Sequence, residues 1–118
     1  MAPELYFVEL TVADWPRAVA WYRDVLGLEV LLRVEADRFA LLRAGGGRVA
    51  LKEGQPQPGT TMLAFEVEDL AAEAGRLAAL GVAVESPVTD SPEGYRRVLL
   101  RDPDGHRLCL FDWEARRC

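Results

Sequence analysis

"TVADWPRAVAWYRDVLGLEVL", residues 11 to 31, reads as the end of a strand, a helix and the start of a second strand. Asp14 suits an N-cap, because its carboxylate can accept a hydrogen bond from an amide the first turn leaves unpaired, and Pro16 fits a first turn that needs no amide donor. Trp15, Ala18, Tyr22, Val25 and Leu26 fall on one helical stripe, and Gly27 supplies a left-handed closure. Upstream, "LYFVELTV" alternates, so that Val8, Leu10 and Val12 share one face of a strand while Leu5, Phe7, Glu9 and Thr11 share the other. Downstream, "LEVLLRVEA" and "RFALLRA" read as strands, followed by a turn at Gly45 to Gly47 and the strand "RVALKE". Residues 4–53 therefore form a βαβββ module.

The same order returns after the linker "GQPQPGT", residues 54–60, whose Pro and Gly content suits neither helix nor strand. "MLAFEVED" is a strand ending in Val67, Glu68 and Asp69 where the first copy ends in Val12, Ala13 and Asp14. "LAAEAGRLAALG" is a helix closing at Gly81, and "VAVES", "YRRVLLR" and "HRLCLFDW" are strands. The last two are joined by Asp102, Pro103, Asp104 and Gly105, with proline second and glycine fourth as a type I turn favours. The copies are offset by 69 − 14 = 55 residues at the cap and 81 − 27 = 54 at the helix end, which makes residues 61–114 a duplicate of the first module. The expected fold is α+β: a single domain over residues 1–118, in which two tandem βαβββ modules form a curved mixed sheet. Each helix covers one sheet face, and the uncovered faces enclose a cup, a favoured place for a small ligand.

The 118 residues are half apolar, enough for one core without metals or disulfides. No apolar run approaches the roughly 18 residues that span a bilayer, and no basic-then-apolar leader opens the chain, so a cytoplasmic protein without membrane contact is expected. Cys109 and Cys118 do not make a disulfide framework and read as free thiols. Against 19 acidic residues the 14 basic ones are scattered rather than gathered in a stripe, with a net charge of −5, and this argues against nucleic acid as a partner.

"TVADWPRAVAWYRDVLGLEVL", "MLAFEVEDL" and "LLRDPDGHRLCLF" together resemble the vicinal oxygen chelate superfamily of glyoxalases, bleomycin resistance proteins and dioxygenases. The resemblance runs from Leu5 to Trp113 and is specific for the fold rather than for a reaction. In metal-dependent branches the ligands come from the first and last strands of each repeat. Those positions fall here on Phe7, Met62, Ala50 and Cys109, with 62 − 7 = 55 returning the repeat offset. Phe, Ala and Met offer no hard oxygen or imidazole donor, so the resemblance implies neither a metal nor another cofactor for this chain. A slip of one residue offers only Val8, Leu51, Leu63 and Leu110. The single histidine, His106, reads as a surface polar residue beside the turn.

By strand parity the cup is lined by Phe7, Glu9 and Thr11, by Met62, Ala64 and Glu66, and by Arg48, Ala50 and Lys52. The closing hairpin adds Arg97, Leu99, Arg107, Cys109 and Phe111. An apolar floor with a few charges suits an organic, partly aromatic ligand. Glu9 and Glu66, if enclosed, must be paired with a cation or titrate abnormally, and either could then act as acid or base. Cys109 is read as small apolar filler or as a nucleophile needing a nearby base or positive field. Trp15, Trp21 and Tyr22 pack on the sheet or on a second subunit, and Trp113 closes the rim or joins a dimer contact.

The first functional reading is a metal-independent small-molecule binding protein, similar in kind to the antibiotic-sequestering bleomycin resistance branch. The resemblance also implies a homodimer, built side by side or by exchanging modules. The alternative is a metal-free lyase or isomerase using Glu9 or Glu66, and the third reading is a metal-dependent lyase or dioxygenase.

Overall fold

The computed structural model describes residues 2–113; Cys118 and Glu114 at the end of the second module lie outside them. Within these residues the chain divides between Gln57 and Pro58 into two compact units. The first runs β1 (Val8–Val12), α1 (Trp15–Asp24), β2 (Glu29–Val34), β3 (Phe39–Ala44) and β4 (Gly47–Glu53), with a 3-10 turn at Glu35–Asp37. The second runs β5 (Met62–Glu66), α2 (Leu70–Ala79), β6 (Thr89–Asp90), β7 (Tyr95–Arg101) and β8 (Arg107–Trp113). Their sheets have the orders β1-β4-β3-β2 and β5-β8-β7-β6, each with one parallel pair, β1 with β4 and β5 with β8. The repeat read in the sequence is thus a repeat of topology, and the fold is α+β with two βαβββ modules.

Capping residues set both helices at the expected places. Asp14 accepts the Arg17 amide at 3.2 Å and Asp69 accepts the Ala72 amide at 3.0 Å, each satisfying an amide the first turn leaves open. Gly27 and Gly81 take φ of 77° and 75°, the left-handed region. At the second of these the Val82 amide reaches back to the Leu77 carbonyl, which closes the helix.

Alternation then decides which sheet face each helix covers. In the first unit α1 packs on β3 and β4, and Trp15, Ala18, Val19 and Tyr22 are buried with Ala40, Leu42, Val49 and Leu51. The Trp15 indole donates to the Leu51 carbonyl at 3.2 Å, while the Arg33 and Arg38 guanidinium carbons lie 4.7 and 5.5 Å from its ring centre. In the second unit α2 packs on β7 and β8, burying Leu70 and Leu77 with Val98, Leu100, Leu108 and Leu110.

A polar group holds this second helix in place. Asp112, next to the registered Arg96 on β7, is buried and ion-pairs with it at 3.2 Å. The same carboxylate accepts the Leu70 amide at the head of α2, at 3.3 Å.

One expected strand does not form. "VAVES" makes only an isolated bridge, Val84 to Leu100, and the fourth strand of the second sheet is the two residues Thr89–Asp90 in the loop that follows. The ladder is broken because the Ser86 hydroxyl, not a carbonyl, accepts the Leu99 amide, and Pro87 next to it has no amide to give. The Asp102 turn forms as read: the Gly105 amide bonds the Asp102 carbonyl at 3.0 Å. The Asp102 carboxylate also accepts the amides of Asp104 and His106, both at 2.9 Å.

Candidate functional site

The strand registers show which residues share the faces opposite the helices. In the second sheet Glu66, Phe111 and Arg97 form one row across β5, β8 and β7, and Ala64, Cys109 and Leu99 form the next. Met62 stands beside Arg107, and Tyr95 beside Trp113. In the first sheet Glu9, Ala50 and Leu41 form a row beside Thr11, Lys52 and Phe39. Phe7 keeps that parity, with its ring 6.3 Å from that of Phe39. Within each unit, then, the residues singled out from parity lie on the face away from the helix.

The cations on these faces divide by what they touch. Arg48 donates to the Tyr6 carbonyl at 3.1 Å and its guanidinium lies 4.1 Å from the Tyr6 ring centre. Arg107, which stands beside β5 as Arg48 stands beside β1, donates to the Thr60 carbonyl at 3.2 Å. Each arginine thereby ties down the segment leading into the first strand of its own module. Lys52 donates to the Asp37 carbonyl and braces the 3-10 turn. Arg97 is different. Its Nε is buried with no hydrogen-bond partner, and it makes no ion pair among the described residues.

The sequence reading placed two of the three rings around Arg97, Phe111 in the lining and Trp113 at the rim, and left out Tyr95. Tyr95, Phe111 and Trp113 are in mutual contact, with centroids 5.2 to 5.7 Å apart and interplanar angles of 59° to 87°. The signal was present as parity: Tyr95 is two residues from Arg97, and Trp113 two from Phe111. The first sheet carries a second, looser cluster of Tyr6, Phe7 and Phe39.

Enclosure of Glu9 and Glu66 was expected, but both are exposed. They lie on β1 and β5, the edge strands of their sheets, so each has a neighbouring strand on one side only. Cys109 is fully buried between Ala64 and Leu99. Burial pushes its thiol above the ordinary range and the Arg97 charge only partly opposes this. A thiol held protonated is a poor nucleophile. His106 is half-buried, its backbone amide and carbonyl engaged with Asp102.

The residues at the four positions that the family resemblance assigns to metal ligands do not fit a divalent ion. Phe7 and Ala50 in one unit and Met62 and Cys109 in the other bring no carboxylate or imidazole. Among the described residues no three His, Cys, Asp or Glu gather where a metal could be held.

Several solved structures share the fold. TioX from Micromonospora sp. ML1 is 33% identical with a TM-score of 0.78, over 93% of this chain and 98% of that one. An integron cassette protein from the mobile metagenome of the Halifax Harbour sewage outfall is 26% identical with a TM-score of 0.81, over 94% and 99%. Lactoylglutathione lyase from Agrobacterium tumefaciens is 23% identical with a TM-score of 0.80, over 94% of each chain, a likeness of fold. No curated protein matches the sequence. The profile of the Glyoxalase/Bleomycin resistance protein/Dioxygenase superfamily matches residues 5–110, nearly the whole described chain, and the protein belongs to that superfamily.

Proposed function

We propose that this protein is a metal-independent binder of an organic, partly aromatic small molecule, seated on sheet faces that the helices leave uncovered. The observation that carries this reading is the cluster of Tyr95, Phe111 and Trp113, three half-exposed rings in contact on one such face. Aromatic side chains offer a flat ligand broad contact at little entropic cost. Ala64 and the buried Cys109 keep the neighbouring floor small and apolar. Sequestration of a molecule, as in the bleomycin resistance branch of the family, requires no bond to be made or broken. Assembly as a homodimer belongs to the same proposal, supported by the exposed Leu31 and Leu32 on the edge strand β2.

Native mass spectrometry of protein taken directly from cells tests the reading as a whole. The expected spectrum shows twice the 13.1 kDa chain, loss of an organic molecule on collisional activation and no stoichiometric divalent metal. One Mn, Fe, Ni or Zn per chain, surviving exchange into chelator-free buffer, overturns metal independence.

A further inference from the structure

We infer that the ligand of the second sheet's uncovered face is an aromatic anion, a planar ring bearing a carboxylate, and that Arg97 is the residue that holds its charge. The inference rests on the aromatic-ligand reading above and adds the charge and its anchor.

Six cations stand on the uncovered faces by register, and five of them are engaged within their own unit: Arg48, Lys52 and Arg107 donate to the carbonyls of Tyr6, Asp37 and Thr60, while Arg43 pairs with Glu29 and Arg101 with Glu85. Arg97 alone among these six has a buried donor, Nε, with no acceptor. A donor left unsatisfied away from water is costly, and folded proteins keep few of them. No carboxylate pairs with it among the described residues. Glu66 lies in the same row but two strands away, with Phe111 between them, so the two backbones are about 10 Å apart at ordinary strand spacing.

Chemistry narrows the acceptor. Nε and an adjacent Nη of a guanidinium present two parallel N–H donors, which match the two oxygens of a carboxylate. The residues flanking Arg97 are Tyr95 on its own strand and Phe111 and Trp113 on the next, so a carboxylate bonded there places its attached ring against aromatic faces and edges. On the remaining side Thr89 of β6 is the registered neighbour and carries no opposing charge.

Three probes separate the charge from the ring: 2-naphthoate, the neutral 2-naphthamide, and cyclohexanecarboxylate, compared by calorimetry on the full chain. The acid is expected to bind about tenfold tighter than the amide, the size of one charge-assisted contact. It is expected to bind at least as much tighter than the cyclohexane acid, and Arg97→Gln should erase the preference for acid over amide. In the wild type the Arg97 Nε–H resonance should move downfield with naphthoate and stay in place with naphthamide, a readout that stands even if the variant does not fold. Equal affinity for acid and amide, or an unmoved Nε–H at saturation, overturns the anion while leaving the aromatic-ligand reading intact. Equal affinity for the naphthyl and cyclohexyl acids overturns the aromatic part. Failure of all three to bind overturns both.

Discussion

Trp15→Ala is expected to lower the stability of the protein by about 4 kcal/mol in denaturant unfolding, near the upper end for a single core truncation. The indole is wholly buried beneath α1, donates to the Leu51 carbonyl of the central strand β4, and carries Arg33 and Arg38 over its ring. Alanine removes the ring's buried area, opens a cavity and deprives that carbonyl of a donor. Trp15→Phe keeps most of the bulk and should recover more than half of the loss. A Trp15→Ala protein within about 1 kcal/mol of the parent would show that the first helix is held by something other than this side chain.

Asp112→Ala is expected to cost roughly 3 kcal/mol, the effect of removing one member of a buried, hydrogen-bonded ion pair. Its carboxylate joins Arg96 on β7 to the Leu70 amide that begins α2. The loss should appear first as faster amide hydrogen exchange through α2, ahead of β7 and β8. Asp112→Asn, which keeps an acceptor for Leu70 but not the charge, should fall between. Uniform acceleration across both modules would contradict this local role.

These two residues solve one problem in opposite ways. Leu70 occupies in the second module the place of Trp15 in the first, 70 − 15 = 55 residues on. In the first module a side-chain donor on the helix reaches a backbone carbonyl of the last strand. In the second, a backbone donor on the helix reaches a side-chain acceptor on the last strand. An alanine-rich helix with only Leu70 and Leu77 buried has little apolar mass to fix its position, and the carboxylate supplies the missing register.

Local chemistry in the sequence was enough for the two caps, the left-handed glycines, the Asp102 turn and the repeat, because each depends on residues within a few positions of one another. Parity likewise placed Glu9, Ala50, Met62, Glu66, Arg97, Cys109 and Phe111 on faces away from the helices. What escaped depends on neighbours distant in sequence. Alternation does not reveal that β1 and β5 are edge strands, and so it could not show Glu9 and Glu66 exposed. Nor could it show that Arg48 and Arg107 spend donors on carbonyls 42 and 47 residues away. Asp112 was legible in principle, as an acid at the parity of Leu108 and Leu110. The failure of "VAVES" as a strand turned on Pro87, whose missing amide limits the ladder beside it.

The account stands on the claim that the faces opposite the helices, furnished with rings and uncoordinating side chains, are where this protein meets its ligand. Backbone and side-chain NMR shifts of the uniformly labelled protein, followed during titration with 2-naphthoate, test it directly. The account predicts saturable shifts centred on Tyr95, Arg97, Phe111 and Trp113, with α1 and α2 little changed and with the same result in the presence of a chelator. Shifts centred on the helices, or binding that a chelator abolishes, would contradict it.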